Sequence, residues 1–399
     1  MSQYLLSSAA LLLSLVLLFP AVVLAIECVA GSASPRKAAL RDRRRPSVAV
    51  LVPAHNEELQ ISDTVRNIQE QLRNGDRLVV VADNCNDMTS MNARDAGAEV
   101  VERFDALHRG KGYALDAGVR YLAEAPPEIV VIVDADCWLE PGALDELTRM
   151  CAATNRPLQS RYLMIAPPVA AINLAVSEFA FLLKNRIRLL GLTRLGLPVQ
   201  LTGSGMAFPW SVIREAELAH GNLVEDMKLG LDLARAGHAP LFCDTAVIRS
   251  RFPYSIKGLG TQVSRWDAGR LRLMRSLLSA LLDTGTFRNS GYLALVLDAL
   301  VPPLTLLAAL LFAMLLLTGI LAATEAAMVP FLVSTLSVTL FGTALANAWW
   351  VHGKRVLPPH ALIELPKYAI GKIKRYPGYM LNSRRSVWIR TDRDRPTET

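Results

Sequence analysis

Ile129-Val-Val-Ile-Val-Asp-Ala-Asp136 sets five β-branched residues directly before a pair of carboxylates. A short apolar run without polar alternation reads as a strand buried on both faces, as in a parallel sheet covered by helices. Outward from it the chain alternates in type. Runs 47–52, 78–82 and 99–101 read as further strands. Between them, 57–72 places Leu59, Ile61, Val65, Ile68 and Leu72 near helical spacing, and 88–96 and 113–123 also read as helices. Units of about 20–30 residues have the length of βαβ crossovers. Region 47–250 is therefore expected to be a doubly wound α/β domain with a mostly parallel sheet.

Such sheets bind ligands beyond the carboxyl ends of their strands, and polar residues stand at each of those places. Pro53-Ala-His-Asn-Glu57 follows the first strand, Asp83-Asn-Cys-Asn-Asp87 the second, and Asp134-Ala-Asp136 the fourth. Each has a plain alternative: Asn56 and Asp87 can cap the next helix, and Asp after a strand is a common turn former. Three such clusters on one sheet edge are harder to explain that way. Two close carboxylates repel unless a cation lies between them, and hard cations such as Mg²⁺ or Mn²⁺ take oxygen ligands shared with phosphates. Asp134-x-Asp136 thus points to a metal–diphosphate site.

Other segments carry weaker signals. Arg109-Gly-Lys-Gly112 brings Lys111 and flexible backbone near a helix start, a place that suits phosphate. Gly203-Ser204-Gly205 allows close approach of backbone to a ligand, or is an ordinary turn. Glu225-Asp226 opens an expected helix over 227–236. Acidic residues suit a helix N-terminus, and a carboxylate there is also a candidate general base. Gln262-Val-Ser-Arg-Trp266 lies among Arg249, Arg251, Lys257, Arg270, Arg272 and Arg275. The stretch reads as a basic interfacial helix, yet Arg suits a diphosphate and Trp the face of a sugar ring.

The rest of the chain speaks of a membrane. Mean hydropathy is +0.28 and 52% of the 399 residues are hydrophobic, above what a soluble domain carries. Run 5–26 is uncharged and long enough to span; no Lys or Arg precedes it, which favours an anchor over a signal peptide. Two more runs fall within 292–323 and at 327–350, with Asp298 and Pro302-Pro303 marring the first, so that its early part is expected along the interface. Arg36, Lys37, Arg41, Arg43, Arg44 and Arg45 follow the first run; Lys354, Arg355, Lys367, Lys372, Lys374 and Arg375 follow the last; the turn between the last two carries Glu325 and no basic residue. By the positive-inside rule the middle and the tail face the cytoplasm. The net charge of +7 thus gathers at membrane ends, which disfavours nucleic acid as partner. Five cysteines without a C-x-x-C pair argue against a disulfide framework or zinc site. The expected divisions are an anchor at 1–30, a basic linker at 31–46, the α/β domain at 47–250, an interfacial segment at 251–290, a membrane hairpin at 291–351 and a basic tail at 352–399.

Taken in order, these clusters resemble glycosyltransferase family 2 and its GT-A fold. The resemblance covers roughly 47–275, and Gln262-x-x-Arg265-Trp266 is similar to the signature of the membrane-integrated branch that includes cellulose synthases, hyaluronan synthases and ceramide glucosyltransferases. It implies a GT-A-type sheet with one N-terminal and about two C-terminal transmembrane helices, and an inverting, metal-dependent hexosyltransferase. Pro53, Ala54, Asn56, Glu57 and Asp83 would hold the nucleoside, with Lys111 and Asp134 on the donor. Asp136 would ligate Mn²⁺ or Mg²⁺, and Asp226 would be the base. Gly203, Ser204, Glu225, Gln262, Arg265 and Trp266 would frame the diphosphate and acceptor. The donor is expected to be a nucleotide sugar, a UDP-sugar for preference. The acceptor would be lipid-linked or membrane-bound, in exopolysaccharide or glycolipid synthesis at a bacterial inner membrane. The rival readings are a processive polysaccharide synthase, which carries more membrane helices than these, and a non-catalytic scaffold, which has no need of the acidic clusters. The stretch 169–190, with Phe179, Phe181, Lys184, Arg186 and Arg188, is either an interfacial helix near the acceptor or a core helix.

Overall fold

The computed structural model describes residues 2–33, 44–166, 172–253, 256–324, 328–374 and 376. Strands β1 (Val48–Ala54), β2 (Arg77–Asp83), β3 (Glu99–Arg103) and β4 (Ile129–Ile132) pair in parallel in the order β3-β2-β1-β4. All four residues of β4 are buried, as its unbroken apolar run requires. Beyond β4 the sheet becomes mixed. β5 (Trp138–Leu139), β6 (Leu158–Ile165), β7 (Met206–Pro209) and β8 (Leu241–Arg251) extend it as β7-β6-β8-β5. Here β7 runs antiparallel to β4 and β6, β6 is parallel to β8, and β5 is antiparallel to β8. The sequence reading missed this half because β6 and β8 alternate in burial and carry Arg161 and Arg249, so neither shows a continuous apolar run.

Side chains alternate across the sheet as the strand period demands. Val50 and Val52 face a core with Ile61 and Val65 of α2 (Ile61–Gln69) and Leu144 and Leu147 of α5 (Ala143–Thr154). Leu51 and Val79 face the other side, against Leu115 and Val119 of α4 (Lys111–Leu122) and Leu229 and Leu233 of α9 (Glu225–Arg235). Helix α2 begins at Ile61, four residues later than the periodicity suggests. Residues 55–60 are spent in a loop in which Asn56 has φ +54° and the Glu57 N–H donates to Thr89 Oγ1 at 2.7 Å. In the opposite sense, α4 and α9 each begin two residues earlier than expected, so Lys111, Glu225 and Asp226 all sit in first helical turns.

Three helices among the described residues are long and apolar enough to cross a membrane: Leu5–Gly31 within α1 (Ser2–Gly31), α13 (Leu304–Ala323), and Met328–Gly353, which contains α14 (Met328–Ala348). The early part of the 292–323 run is a separate helix, α12 (Ser290–Ala299), which packs on α9; Pro302-Pro303 divides it from α13. The helical stretch 172–194 consists of α6 (Ile172–Leu182), a π-helical turn Leu183–Ile187 and α7 (Arg188–Arg194). Val176, Phe179 and Leu183 pack with α1, α13 and α14, so it is a core element between the sheet and the membrane helices. Residues 169–171 of the expected stretch 169–190 lie outside the described residues.

The membrane helices join the α/β unit through a buried ion triad. Arg188 Nε donates to Glu27 of α1 at 2.5 Å and its NH2 to Asp298 of α12 at 2.5 Å. Close backbone approach permits this: a Cβ at Gly191 would strike the Glu27 carbonyl. Arg45, counted above as a membrane-side charge, instead pairs with Asp76 at 2.5 Å and Asp145 at 3.0 Å and is nearly fully buried. Arg36, Lys37, Arg41, Arg43, Glu325 and Arg375 lie outside the described residues. The expected basic tail is in part folded. Helix α15 (Leu365–Ile373) turns back toward the α/β unit, and Lys372 meets Asp267 of α10 (Ile256–Leu277) at 3.0 Å.

Removing one member of a buried ion cluster strands its partners and costs about 3–5 kcal/mol. Arg188→Ala is therefore expected to lower the thermal unfolding midpoint of the detergent-solubilised protein by many degrees. An unchanged midpoint would show that the triad does not hold α1 to the domain.

Candidate active site

The loops after β1, β2 and β4 open into one cavity of about 1400 Å³. Pro53, Ala54, His55 and Glu57 line it from β1, Asp83 and Asn84 from β2, and Asp134 and Asp136 from β4. Lys111 enters from the first turn of α4, Gly203 from the loop before β7, Glu225 and Asp226 from α9, and Gln262, Arg265 and Trp266 from α10. Segments more than 200 residues apart in the chain thus converge at the sheet edge named by their position after parallel strands.

Two expected binding residues do not line the cavity. Asn56 ties the loops together instead: its side-chain Oδ1 accepts from the Asn86 N–H at 2.9 Å. Ser204 is wholly buried. Its Oγ accepts from the Asp134 N–H at 3.0 Å and donates to Cys137 Sγ at 3.2 Å. Both are positioning residues rather than direct contacts.

Asp83 sits at the floor of the first region, with its Oδ1 accepting from Arg103 at 2.7 Å and from Asn84 Nδ2 at 3.0 Å. His55 Nδ1 lies 2.6 Å from the Asp83 carbonyl. In the centre, Lys111 Nζ pairs with Asp134, donates to the Gly203 carbonyl at 2.7 Å and lies 3.7 Å from Glu225. Burial works against its charge, but Asp134 and then Glu225 outweigh that and hold its pKa above the ordinary lysine value. Burial pushes the Glu225 carboxyl up to about 7, against Lys111 and with help from Asp226. Burial likewise raises Asp226, opposed by Lys184 and Lys111. A carboxyl raised in this way has the basicity that proton abstraction near neutral pH calls for.

Gly203 has φ +97°, and a Cβ there would lie 3.4 Å from Asp226 Oδ2, 3.8 Å from Lys111 Nζ and 3.9 Å from Asp134 Oδ2. One backbone point therefore touches the candidate base, the lysine and the strand-end carboxylate at once, and only glycine adopts that conformation there without strain.

Asp134, Asp136 and Cys137 bring ligand atoms within 4.8 Å of one another. Oxygen suits Mn²⁺ or Mg²⁺. The Cys137 thiol is buried, its pKa pushed up to about 12 by that burial, and it suits the wall rather than the coordination sphere. The two aspartates thus fit a hard divalent ion; the sequence reading assigned only Asp136 to it.

On the α10 side, Gln262 is 2% exposed and its Oε1 finds no partner among the described residues. Trp266 packs against Phe181 with ring centroids 6.0 Å apart. Burial lowers the Arg265 guanidinium, offset by Glu225, Asp134 and Asp226. Lys184, Asn185 and Arg270 also line the cavity and were not expected at the site. Asn185 gave no signal because its inward aim depends on the π turn, which periodicity does not show.

Residues 46–269 match glycosyltransferase-like family 2, and the chain belongs to that family. Among curated proteins it is 30% identical over 110 residues to the uncharacterized protein MJ1222 of Methanocaldococcus jannaschii, covering 28% of this chain and 44% of that one. It is 34% identical over 103 residues to the probable glycosyltransferase YdaM of Bacillus subtilis, covering 23% of each. The chain therefore spans less than half the length of these curated relatives. Among solved structures it is similar to the mannosyltransferase PcManGT from Pyrobaculum calidifontis, in complex with GDP-Man and Mn²⁺. That likeness has a TM-score of 0.55 at 19% identity, covers 90% of this chain and 98% of that one, and establishes a common GT-A fold.

Groups that orient metal ligands are worth about 10–100-fold in metal affinity, and Ser204 would do so by holding the Asp134 backbone N–H. Ser204→Ala is expected to weaken Mn²⁺ binding about tenfold, read by Mn²⁺ titration, with the fold preserved. Unchanged affinity would remove Ser204 from the support of Asp134.

Proposed function

We propose that this chain transfers a sugar from a nucleotide-diphosphate donor, a UDP-sugar for preference, to a hydroxyl of a membrane-bound or lipid-linked acceptor, with inversion at the anomeric carbon. The observation that carries the reading is the continuity of the cavity. From Asp226 it runs past Trp266 to Leu304, Thr305, Ala308, Ala309, Phe312, Ala313 and Leu316 of α13. These recur at helical spacing and form one face of a membrane helix. A water-soluble acceptor has no use for such a wall.

The chemistry follows from the placement. Pro53, Ala54, His55, Glu57 and Asp83 border the region suited to the nucleoside. Lys111 and Arg265 face the diphosphate. Asp134 and Asp136 would hold Mn²⁺ or Mg²⁺, which when bound neutralises charge on the diphosphate. Asp226 takes the proton of the acceptor hydroxyl as its oxygen bonds to the anomeric carbon. The bond from that carbon to the diphosphate oxygen breaks on the opposite face, and the nucleoside diphosphate leaves with the electron pair. Lys111 and Arg265 are fixed in a buried setting before charge develops, the arrangement that stabilises a leaving anion most.

The membrane ends of the spans support one orientation. Glu27 near the end of α1, Leu304 at the start of α13 and Leu345 and Trp349 at the end of α14 all lie on the side of the α/β unit. With the positive-inside argument, that side is the cytoplasm. The pathway we favour is exopolysaccharide or glycolipid assembly at a bacterial plasma membrane.

Three outcomes test this. Asp226→Asn is expected to reduce transfer by about 10²–10⁴-fold with donor binding retained; wild-type turnover would remove the base. Asp136→Ala is expected to lose Mn²⁺-dependent donor binding in calorimetry, and an undiminished Mn²⁺ effect would contradict the metal assignment. Ala309→Trp, set in the α13 face, is expected to impair transfer to membranes while leaving donor affinity within about twofold, since distant sites act independently. Equal transfer would mean that the acceptor does not use this groove.

A further inference from the structure

We propose that the membrane side of the cavity contains a phosphate-binding chamber, built by Lys184, Asn185 and Arg270, that holds the phosphate of a lipid whose chain lies along α13. This rests on the reading of the cavity as a transferase site with a membrane-bound acceptor, and it names the chemistry of that acceptor's head.

The first observation is Asn185. It is 1% exposed and lines the cavity, yet neither its Nδ2 nor its Oδ1 has a hydrogen-bond partner among the described residues. A buried amide left unmade costs about 1–3 kcal/mol per group, so it calls for a ligand. Asn185 sits on the π turn Leu183–Ile187, and single π turns recur at functional sites. A phosphate oxygen satisfies its Nδ2, and a neighbouring hydroxyl of the same ligand satisfies its Oδ1.

The second is a pair of cations without counter-ions. Among the described residues, neither Lys184 nor Arg270 makes an ion pair with a carboxylate, whereas Arg188 beside them is spent on Glu27 and Asp298. Arg270 NH2 donates to the Val301 carbonyl at 2.9 Å, and its Nε has no partner among the described residues. Burial lowers Lys184 to about 8 and Arg270 to about 10; the neighbouring Arg270 adds to the first shift and Arg188 to the second. Two half-buried like charges lining one cavity favour an anion between them.

The donor's diphosphate does not occupy this place. The charges acting on Lys111 and Arg265 are Asp134, Glu225 and Asp226. Those acting on Lys184 are Arg270, Asp226, Arg188 and Asp298, and those acting on Arg270 are Arg188, Asp298, Asp267 and Glu27. Asp226 acts on Lys184 as well as on Lys111 and Arg265, so the chamber adjoins the candidate base. A free anion would also fit three donors. The lipid assignment comes from what borders them: Leu304 and Ala308 lead to Phe312 and Leu316, which are 53% and 69% exposed on the outer surface of α13.

The test uses the full chain in detergent, with farnesyl phosphate, farnesol and inorganic phosphate as probes. Fluorescence of Trp266 and Trp349, both at the cavity wall, reports binding. Farnesyl phosphate is expected to bind at least about tenfold more tightly than farnesol, the scale of one charge-assisted contact. Asn185→Ala and Lys184→Gln are each expected to cut that advantage about tenfold with farnesol affinity unchanged. Equal affinity of the two wild-type ligands overturns the proposal without reference to any variant. So do variants that keep the full preference, and so does displacement of farnesyl phosphate by inorganic phosphate at similar concentration, which would make the site one for free phosphate. UDP binding with Mn²⁺ is measured on the same samples. Its presence with no phosphate preference ends the chamber alone; its absence from the wild-type protein ends the transferase reading on which the chamber rests.

Discussion

The structure turns on the counter-charge that Lys111 supplies to carboxylates crowded at one sheet edge. Asp134 follows β4, and Glu225 and Asp226 open α9; carboxylates so placed repel one another, and a cation among them offsets that. Lys111 pairs with Asp134, lies 3.7 Å from Glu225 and is fixed by the Gly203 carbonyl at 2.7 Å. Three elements are thereby held to one point. The remaining acidic group, Asp136, stands with Asp134 at the outer side of this point, where a divalent ion extends the same compensation. In the proposed function, this repulsion would become the means of holding metal and diphosphate.

The half of the fold that carries this edge was legible because its strands are buried on both faces. Runs such as Val79-Val-Val81 and Ile129-Val-Val-Ile132 admit little but a central parallel strand. The half built from β5 to β8 was not legible, since β6 and β8 alternate in burial, β5 and β7 are short, and the strands pair in both senses. Helix starts were off by two to four residues at the site itself. There the local sequence serves the loop or the ligand rather than the helix: Asn56 at φ +54° delays α2, and Gly110 at φ +132° admits Lys111 directly into the first turn of α4.

Among the residues that line the cavity, those that follow strands or begin helices could be expected there from the sequence, since their positions are fixed by topology. Asn56 and Ser204 were found as well, but they brace the loops from behind. Residues that depend on a non-repeating backbone feature were missed. Asn185 reaches the cavity through a π turn and Arg270 from α10; α15, within the expected basic tail, lines the same cavity and places Lys372 on Asp267. The Glu27–Arg188–Asp298 triad likewise joins residues 271 positions apart at its extremes, a coupling that no local pattern reveals.

The central claim is that the acidic edge and the membrane helices form one transferase site for a lipid-borne acceptor. Membranes containing the full chain, incubated with Mn²⁺ and a panel of radiolabelled nucleotide sugars, test it most directly when the label is partitioned between organic and aqueous phases. The account predicts that one donor labels the organic extract in proportion to the amount of active protein. Label that stays wholly in the aqueous phase as a soluble glycoside, or no transfer from any donor, would contradict it.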